Sequence, residues 1–292
     1  MHSKLLFRLG LARLLAVALG LAAQAASAEL QVWTVTETRH VLRSELPGKL
    51  REAKLAAARN EWVSFQILMR ADASVRILSV ETGDLRGTGD KGSSALRWRL
   101  YRQHQLRLET GTYRNADFKP DWYPDPLIPF EHPLAGEKLK DARFKAVAFD
   151  LPAGETHGFW VDLYVPGNAG AGEYRGTCRV TAGQGRAVEI PVILTVWDFE
   201  LPRVPTLQTA LGSPAGQMRG YYAGRAKAGK EPAPKDWDGV TAQITDEVSR
   251  HLVNATPAAG LLTPRREGDG SYHFTTQQID VLRQFVDKYH VN

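Results

Sequence analysis

The chain contains a single cysteine, Cys178, so no intramolecular disulfide can form and its stability has to come from a packed core. It lacks the run of about 20 apolar residues that a membrane-spanning helix requires. The apolar stretch from Leu14 to Ala23 is half that length. Metal and nucleophile motifs are missing too: the eight histidines, among them His104, His132, His157 and His273, never fall at H-x-x-x-H or H-E-x-x-H spacing, and no G-x-S-x-G elbow occurs. The expectation is a protein with no metal site and no cofactor. There is also no dense basic cluster. Arg97, Arg99, Arg102 and Arg107 come closest and read as the wet face of a strand, which argues against a nucleic-acid partner.

What is present begins with a leader. Lys4, Arg8 and Arg13, with no acid among them, precede the Leu14–Ala23 run, and the small residues Ala26, Ser27 and Ala28 follow it. That order predicts a cleavable secretory signal over residues 1–28, hence a periplasmic or extracellular protein with no membrane anchor once it is removed. Cleavage would take three of the 37 Lys and Arg and none of the 32 Asp and Glu, which leaves a nearly neutral mature chain.

From Glu29 to Val204 the apolar period is two. Val63, Phe65, Ile67 and Met69 share one face, as do Phe159, Val161, Leu163 and Val165, then Val188, Ile190, Val192, Leu194 and Val196, and Leu96, Trp98 and Leu100 repeat the pattern. Turn clusters separate these runs at Asn60-Glu61, Pro166-Gly167-Asn168 and Gly183-Gln184-Gly185. The fold predicted is mainly β: an antiparallel β-sandwich over residues 29–205, with Cys178 as a small buried hydrophobe and Pro191 at an edge or a bulge.

After Pro205 the period changes. Gly212 to Lys235 reads as a loop; Trp237, Val240, Ile244, Val248 and Leu252 then fall at helical spacing behind an N-cap at Asp236. A short apolar strand around Ala258 to Leu262 precedes a capping box at Thr275 and Gln278 and a second helix carrying Ile279, Leu282, Val286 and Tyr289. Strand alternating with helix predicts an incomplete α/β segment of TIM-barrel type over residues 206–292.

Three stretches carry a resemblance to a known family: Ala58-Arg59-Asn60-Glu61-Trp62-Val63-Ser64-Phe65-Gln66; Tyr123-Pro124-Asp125-Pro126-Leu127-Ile128-Pro129; and Phe159-Trp160-Val161-Asp162 through Ala171-Gly172-Glu173-Tyr174 to Val196-Trp197-Asp198-Phe199-Glu200-Leu201-Pro202. Together they resemble the N-terminal β-sandwich of glycoside hydrolase family 123, over about Glu29 to Leu211. The resemblance implies a sandwich that precedes a catalytic barrel acting on N-acetylgalactosamine glycosides. In that family an adjacent Asp-Glu pair on a barrel strand orients the substrate's own acetamido group and supplies the general acid. Such a strand is expected only beyond Asn292, so no catalytic residue is expected in this chain.

The one Asp-Glu pair here, Asp246-Glu247, lies inside the predicted helix and reads as a pair of solvated charges. Gly87-Thr88-Gly89-Asp90-Lys91-Gly92 matches the dinucleotide fingerprint by letter, but a strand pattern follows it, so it reads as a hairpin loop. Asn254-Ala255-Thr256 is a glycosylation sequon. The remaining candidate site is Asp121, Trp122, Tyr123 and Asp125, in a loop stiffened by prolines at 120, 124, 126 and 129. Two readings fit that loop: aromatic rings stacking on a glycan with the carboxylates accepting from hydroxyls, or packing against a following domain. At the level of the whole chain the alternatives are a non-catalytic carbohydrate-binding sandwich and an immunoglobulin-like periplasmic chaperone.

Overall fold

The computed structural model describes residues 28–87, 96–132, 135–139, 142–212, 214–229, 233–257 and 259–291. Residues 1–27, and with them the predicted signal, lie outside that set. In chain order the strands of the sandwich are β1 (Leu30–Thr36), β2 (Ala53–Arg59), β3 (Glu61–Ala71), β4 (Val75–Thr82), β5 (Arg86–Gly87), β6 (Arg97–Leu108), β7 (Asp121–Pro129), β8 (Phe149–Leu151), β9 (His157–Val165), β10 (Gly172–Ala182) and β11 (Arg186–Glu200). Among the described residues from Glu29 to Val204 the only helical element is the 3-10 turn Gly183–Gly185.

The strands form two sheets, in the orders β1-β3-β9-β6-β7 and β2-β11-β10-β4-β8, with β5 added against β10. The faces picked out by the period of two meet between the sheets: Phe65, Ile67, Met69, Phe159, Val161, Leu163, Ile190, Val192, Leu194 and Val196 are all buried in one core. Asn60 makes the tight β2–β3 turn with φ 60°, a left-handed conformation that Asn adopts more readily than most residues; its side-chain amide nitrogen ties the turn to a distant segment by donating to Leu201 O at 2.9 Å.

Cys178 is fully buried, and desolvation pushes its thiol up to about 12. Iodoacetamide at pH 8 should leave the native protein unmodified and alkylate it once urea unfolds it, because only the thiolate reacts. Labelling of the native chain at the free-thiol rate would place Cys178 outside the core.

Several expectations are corrected. The sandwich is not wholly antiparallel: β2 runs parallel to β11, from Ala53↔Val192 to Ala57↔Val196, so β11 is an interior strand. Pro191 is tolerated there because it lies one residue before that parallel pairing begins, where the missing N–H costs nothing on the β2 side. Of the 87–92 segment only Gly87, the end of β5, is described; the hairpin loop expected over the rest falls on residues 88–95, which lie outside the described set. The 121–126 segment is not a free loop but strand β7, paired with β6 at the edge of its sheet. Its register shifts between Gln103↔Leu127 and Gln105↔Pro124, so Asp125 and Pro126 form a bulge. An edge position and a bulge are the two places where a sheet accepts such prolines.

The outer face of the first sheet is also covered, by residues 37–52 and by the C-terminal helices. Trp33, Val41 and Leu68 make a second small core there. Gln66, Gln103 and Gln105 are buried beside it, and each is satisfied: Gln66 donates to Thr36 O at 2.8 Å, Gln103 to Gln66 Oε1 at 2.7 Å and Gln105 to Thr156 O at 2.8 Å.

Beyond the sandwich lie α1 (Pro214–Lys227), α2 (Trp237–Arg250), a 3-10 turn (Ala259–Leu261), the short hairpin of β12 (Arg265–Arg266) and β13 (Tyr272–His273), and α3 (Thr276–Tyr289). The caps predicted for α2 and α3 are present: Asp236 accepts from Gly239 N, and Thr275 and Gln278 form a reciprocal capping box. α1 replaces the loop expected over 212–235. Pro214 suits a first helical position, but glycines at 216, 220 and 224 leave no apolar stripe to read. The strand expected near 258–262 is the 3-10 turn instead, and the strands of this region pair antiparallel with each other. Among the described residues no helix is long and apolar enough to cross a membrane.

Candidate functional site

Strand β7 draws three of its four candidate residues into the protein's own contacts. Asp121 accepts from Ser44 Oγ and, at 2.6 Å, from the Trp122 backbone N–H. Burial alone would raise its carboxyl, but these hydrogen bonds and Arg107 outweigh that and hold it below the ordinary range. The Arg43 guanidinium sits 3.8 Å from the Trp122 ring centroid, a cation–π contact. Arg43 in turn donates to Gln105 Oε1 at 2.7 Å. Tyr123 stacks on Phe118 at 5.7 Å and donates its hydroxyl to Lys119 O at 2.8 Å. Asp125 is exposed in the bulge. Trp122 and Tyr123 therefore each have a ring contact within the chain, and of the two carboxylates only that of Asp125 stands in solvent.

A larger feature lies where the helices meet the sandwich. A cleft of about 1090 Å3 is lined by the start of β6 (Arg97–Tyr101), Asn60, Trp62 and Tyr164, the segment after β7, and the C-terminal ends of α2 and α3. Behind its Arg99 and Trp62 wall lies a network of polar groups. Glu247, on α2, pairs with Arg99, on β6, with side chains 31% and 13% exposed. Arg99 also lies over the Trp62 ring, 4.4 Å from its centroid. Trp62 donates its indole N–H to Arg250 O at 3.0 Å and stacks on His251 at 5.0 Å. Below them Asp162 accepts from Ser64 Oγ at 2.6 Å and from the Trp160 indole. Burial raises the Asp162 carboxyl despite those bonds, and burial together with Asp162 pushes the Tyr101 hydroxyl up to about 12.

This geometry overturns two expectations. Arg99 is not on a wet face, and Glu247 is not a solvated helix charge: it is the docking contact between α2 and the sandwich, with Oε2 buried and unpartnered. Asp246 lies 3.9 Å from Lys288 Nζ. The cleft was not legible beforehand, because its walls come from segments far apart in sequence. The one available signal was Trp62, an aromatic between Glu61 and Val63 on a face otherwise expected to be polar. Asn254 of the sequon is buried. Among the described residues no group of three or more His, Cys, Asp and Glu gathers as metal ligands would.

Comparison with known proteins gives one family. The family model described as Glycoside hydrolase 123 N-terminal domain matches residues 33–182, just over half of the chain. Among solved structures, a family 123 glycoside hydrolase from Clostridium perfringens, reported for its hydrolysis of glycolipid glycans, superposes with TM-score 0.60 at 13% identity, over 89% of this chain and 45% of that one. At that identity the likeness speaks for the fold alone, and the chain spans less than half the length of that enzyme. A sporulation control protein from Bacillus subtilis matches at 10% identity, over 61% of this chain and 51% of that one, with TM-score 0.29. At that score it carries no argument. No curated protein matches the chain.

Proposed function

The chain belongs to the family of glycoside hydrolase 123 N-terminal domains, and from that premise we propose that it is the non-catalytic sandwich module of an exported glycosidase acting on N-acetylgalactosaminides. One observation carries the non-catalytic part. Substrate-assisted hydrolysis needs an Asp and a Glu that reach the sugar together, whereas the Asp246-Glu247 pair lies in a helix with Glu247 spent on Arg99 and Asp246 beside Lys288. Chemistry would then fall to a barrel outside this chain. Export is supported by the charged, apolar and small-residue order of residues 1–28. The glycan class is supported by the family and by the glycolipid glycans on which the Clostridium enzyme acts. The partners under this reading are glycans and the catalytic barrel, with no nucleic acid and no membrane after signal removal.

Purified protein should release no aglycone from aryl N-acetylgalactosaminides, since loss of a positioned general acid alone removes a factor of about a hundred to ten thousand. Turnover that disappears in Asp246→Asn or Glu247→Gln would identify the helix pair as catalytic and defeat the proposal.

A further inference from the structure

The cleft between sandwich and helices has more cationic than anionic side chains on its walls. Arg97, Arg99, Arg203, Arg250 and Lys288 line it. The facing acids are Glu81, Glu131 and Asp246. Two of the cations are engaged, Arg99 with Glu247 and Lys288 near Asp246. Among the described residues the guanidiniums of Arg97, Arg203 and Arg250 have no ion-pair partner, although all three residues are exposed at the cleft. They come from three separate elements, β6, the segment after β11 and the end of α2, so only the tertiary fold brings them to one cavity.

The aromatic rings of the same wall are occupied. Trp62 is covered by Arg99 and by His251 and Tyr164, each at 5.0 Å, and Tyr289 packs on Phe285 at 4.8 Å. Trp98 packs against the core. Neutral sugars are held largely by free aromatic faces and hydroxyl partners, and such faces are scarce here. Free guanidiniums instead offer planar forks that match carboxylate and sulfate oxygens in pairs. The cavity, at about 1090 Å3, lies just above the roughly 300–1,000 Å3 usual for small-ligand sites.

We propose that this cleft binds an acidic oligosaccharide, one bearing carboxylate or sulfate groups, through Arg97, Arg203 and Arg250. The inference rests on the glycan-module reading above and narrows its ligand class.

The test is titration calorimetry of the full chain at low salt with four probes: a chondroitin hexasaccharide, its 4-sulfated form, a neutral N-acetylgalactosamine oligosaccharide of equal length, and poly-L-glutamate. At least one acidic saccharide should bind about tenfold or more tighter than the neutral one, and the affinity should fall as salt rises. The two acidic arms decide between carboxylate and sulfate. In a variant combining Arg97→Gln, Arg203→Gln and Arg250→Gln that advantage should vanish while the melting temperature stays put, because all three side chains are exposed. Acidic binding that survives the triple variant, or Arg-dependent binding of poly-L-glutamate alone, overturns the inference. Equal affinity for neutral and acidic chains overturns it while sparing the glycan-module reading. Failure of every saccharide to bind removes both.

Discussion

Replacing Phe159 by Ala should cost about 3–5 kcal/mol of unfolding free energy, the usual range for deleting a buried aromatic ring. Phe159 is fully buried on β9, the middle strand of the first sheet. Its ring meets Phe130 edge-on at 5.8 Å and Phe149 edge-on at 6.0 Å. Truncation loses the transfer free energy of the ring and both edge contacts, and paired strands on either side limit how far the site can collapse. Against a total stability of about 5–15 kcal/mol, that loss is a fifth or more. Urea denaturation followed by tryptophan fluorescence would measure it. Phe144→Ala, at a residue half exposed, is the control and should stay within about 0.5 kcal/mol. A loss below about 1.5 kcal/mol at Phe159 would mean that the core refills the hole and is not packed as described.

Replacing Arg99 by Met should free the C-terminal helices from the sandwich without unfolding it. The substitution keeps an apolar stem of similar length but removes the partner of Glu247, whose second oxygen is already buried without one, and removes the cation over Trp62. Hydrogen bonds to charged groups are worth about 1.5–3 kcal/mol, and the pair is covered enough for screening to be modest. What still resists opening is the contact of Trp62 with Arg250 O and His251. The apolar residues of α2 are only partly buried, and Ile279 and Val286 of α3 are exposed. A loss of about 2 kcal/mol raises the open population roughly thirtyfold, and proteolysis follows that population when reclosing is fast. Cleavage is expected in the extended, largely exposed stretch from Arg203 to Leu211 and should leave a resistant fragment that ends near Pro205. Glu247→Gln should speed cleavage less, because its amide still accepts a hydrogen bond from Arg99. Digestion of Arg99→Met at the wild-type rate, or first cuts inside the sandwich, would show that this pair does not hold the helices.

What the sequence by itself determined is the local layer of the structure. A period of two writes the core faces of β3, β9 and β11 directly, because alternate side chains of a strand point to opposite sides whatever lies beyond it. The N-cap at Asp236 and the box at Thr275 and Gln278 are equally local, since the orphan N–H groups they satisfy belong to the same turn. The family likeness was legible for the same reason, carried by contiguous strand and turn motifs. What only the tertiary structure decided is which polar residues are dry and which segments meet. Gln66, Gln103 and Gln105 look like a wet face, yet residues 37–52 fold across them, and the carbonyls of Thr36, Arg39 and Thr156 supply backbone partners from distant positions. The prolines of β7 conceal a strand because the edge and the bulge that tolerate them are properties of the sheet. Arg99 meets Glu247, and Arg97, Arg203 and Arg250 share one cleft, only after two sheets and three helices have packed. Pairing between charges so far apart along the chain leaves no periodic trace, because periodicity records one element's environment and not the identity of its neighbour.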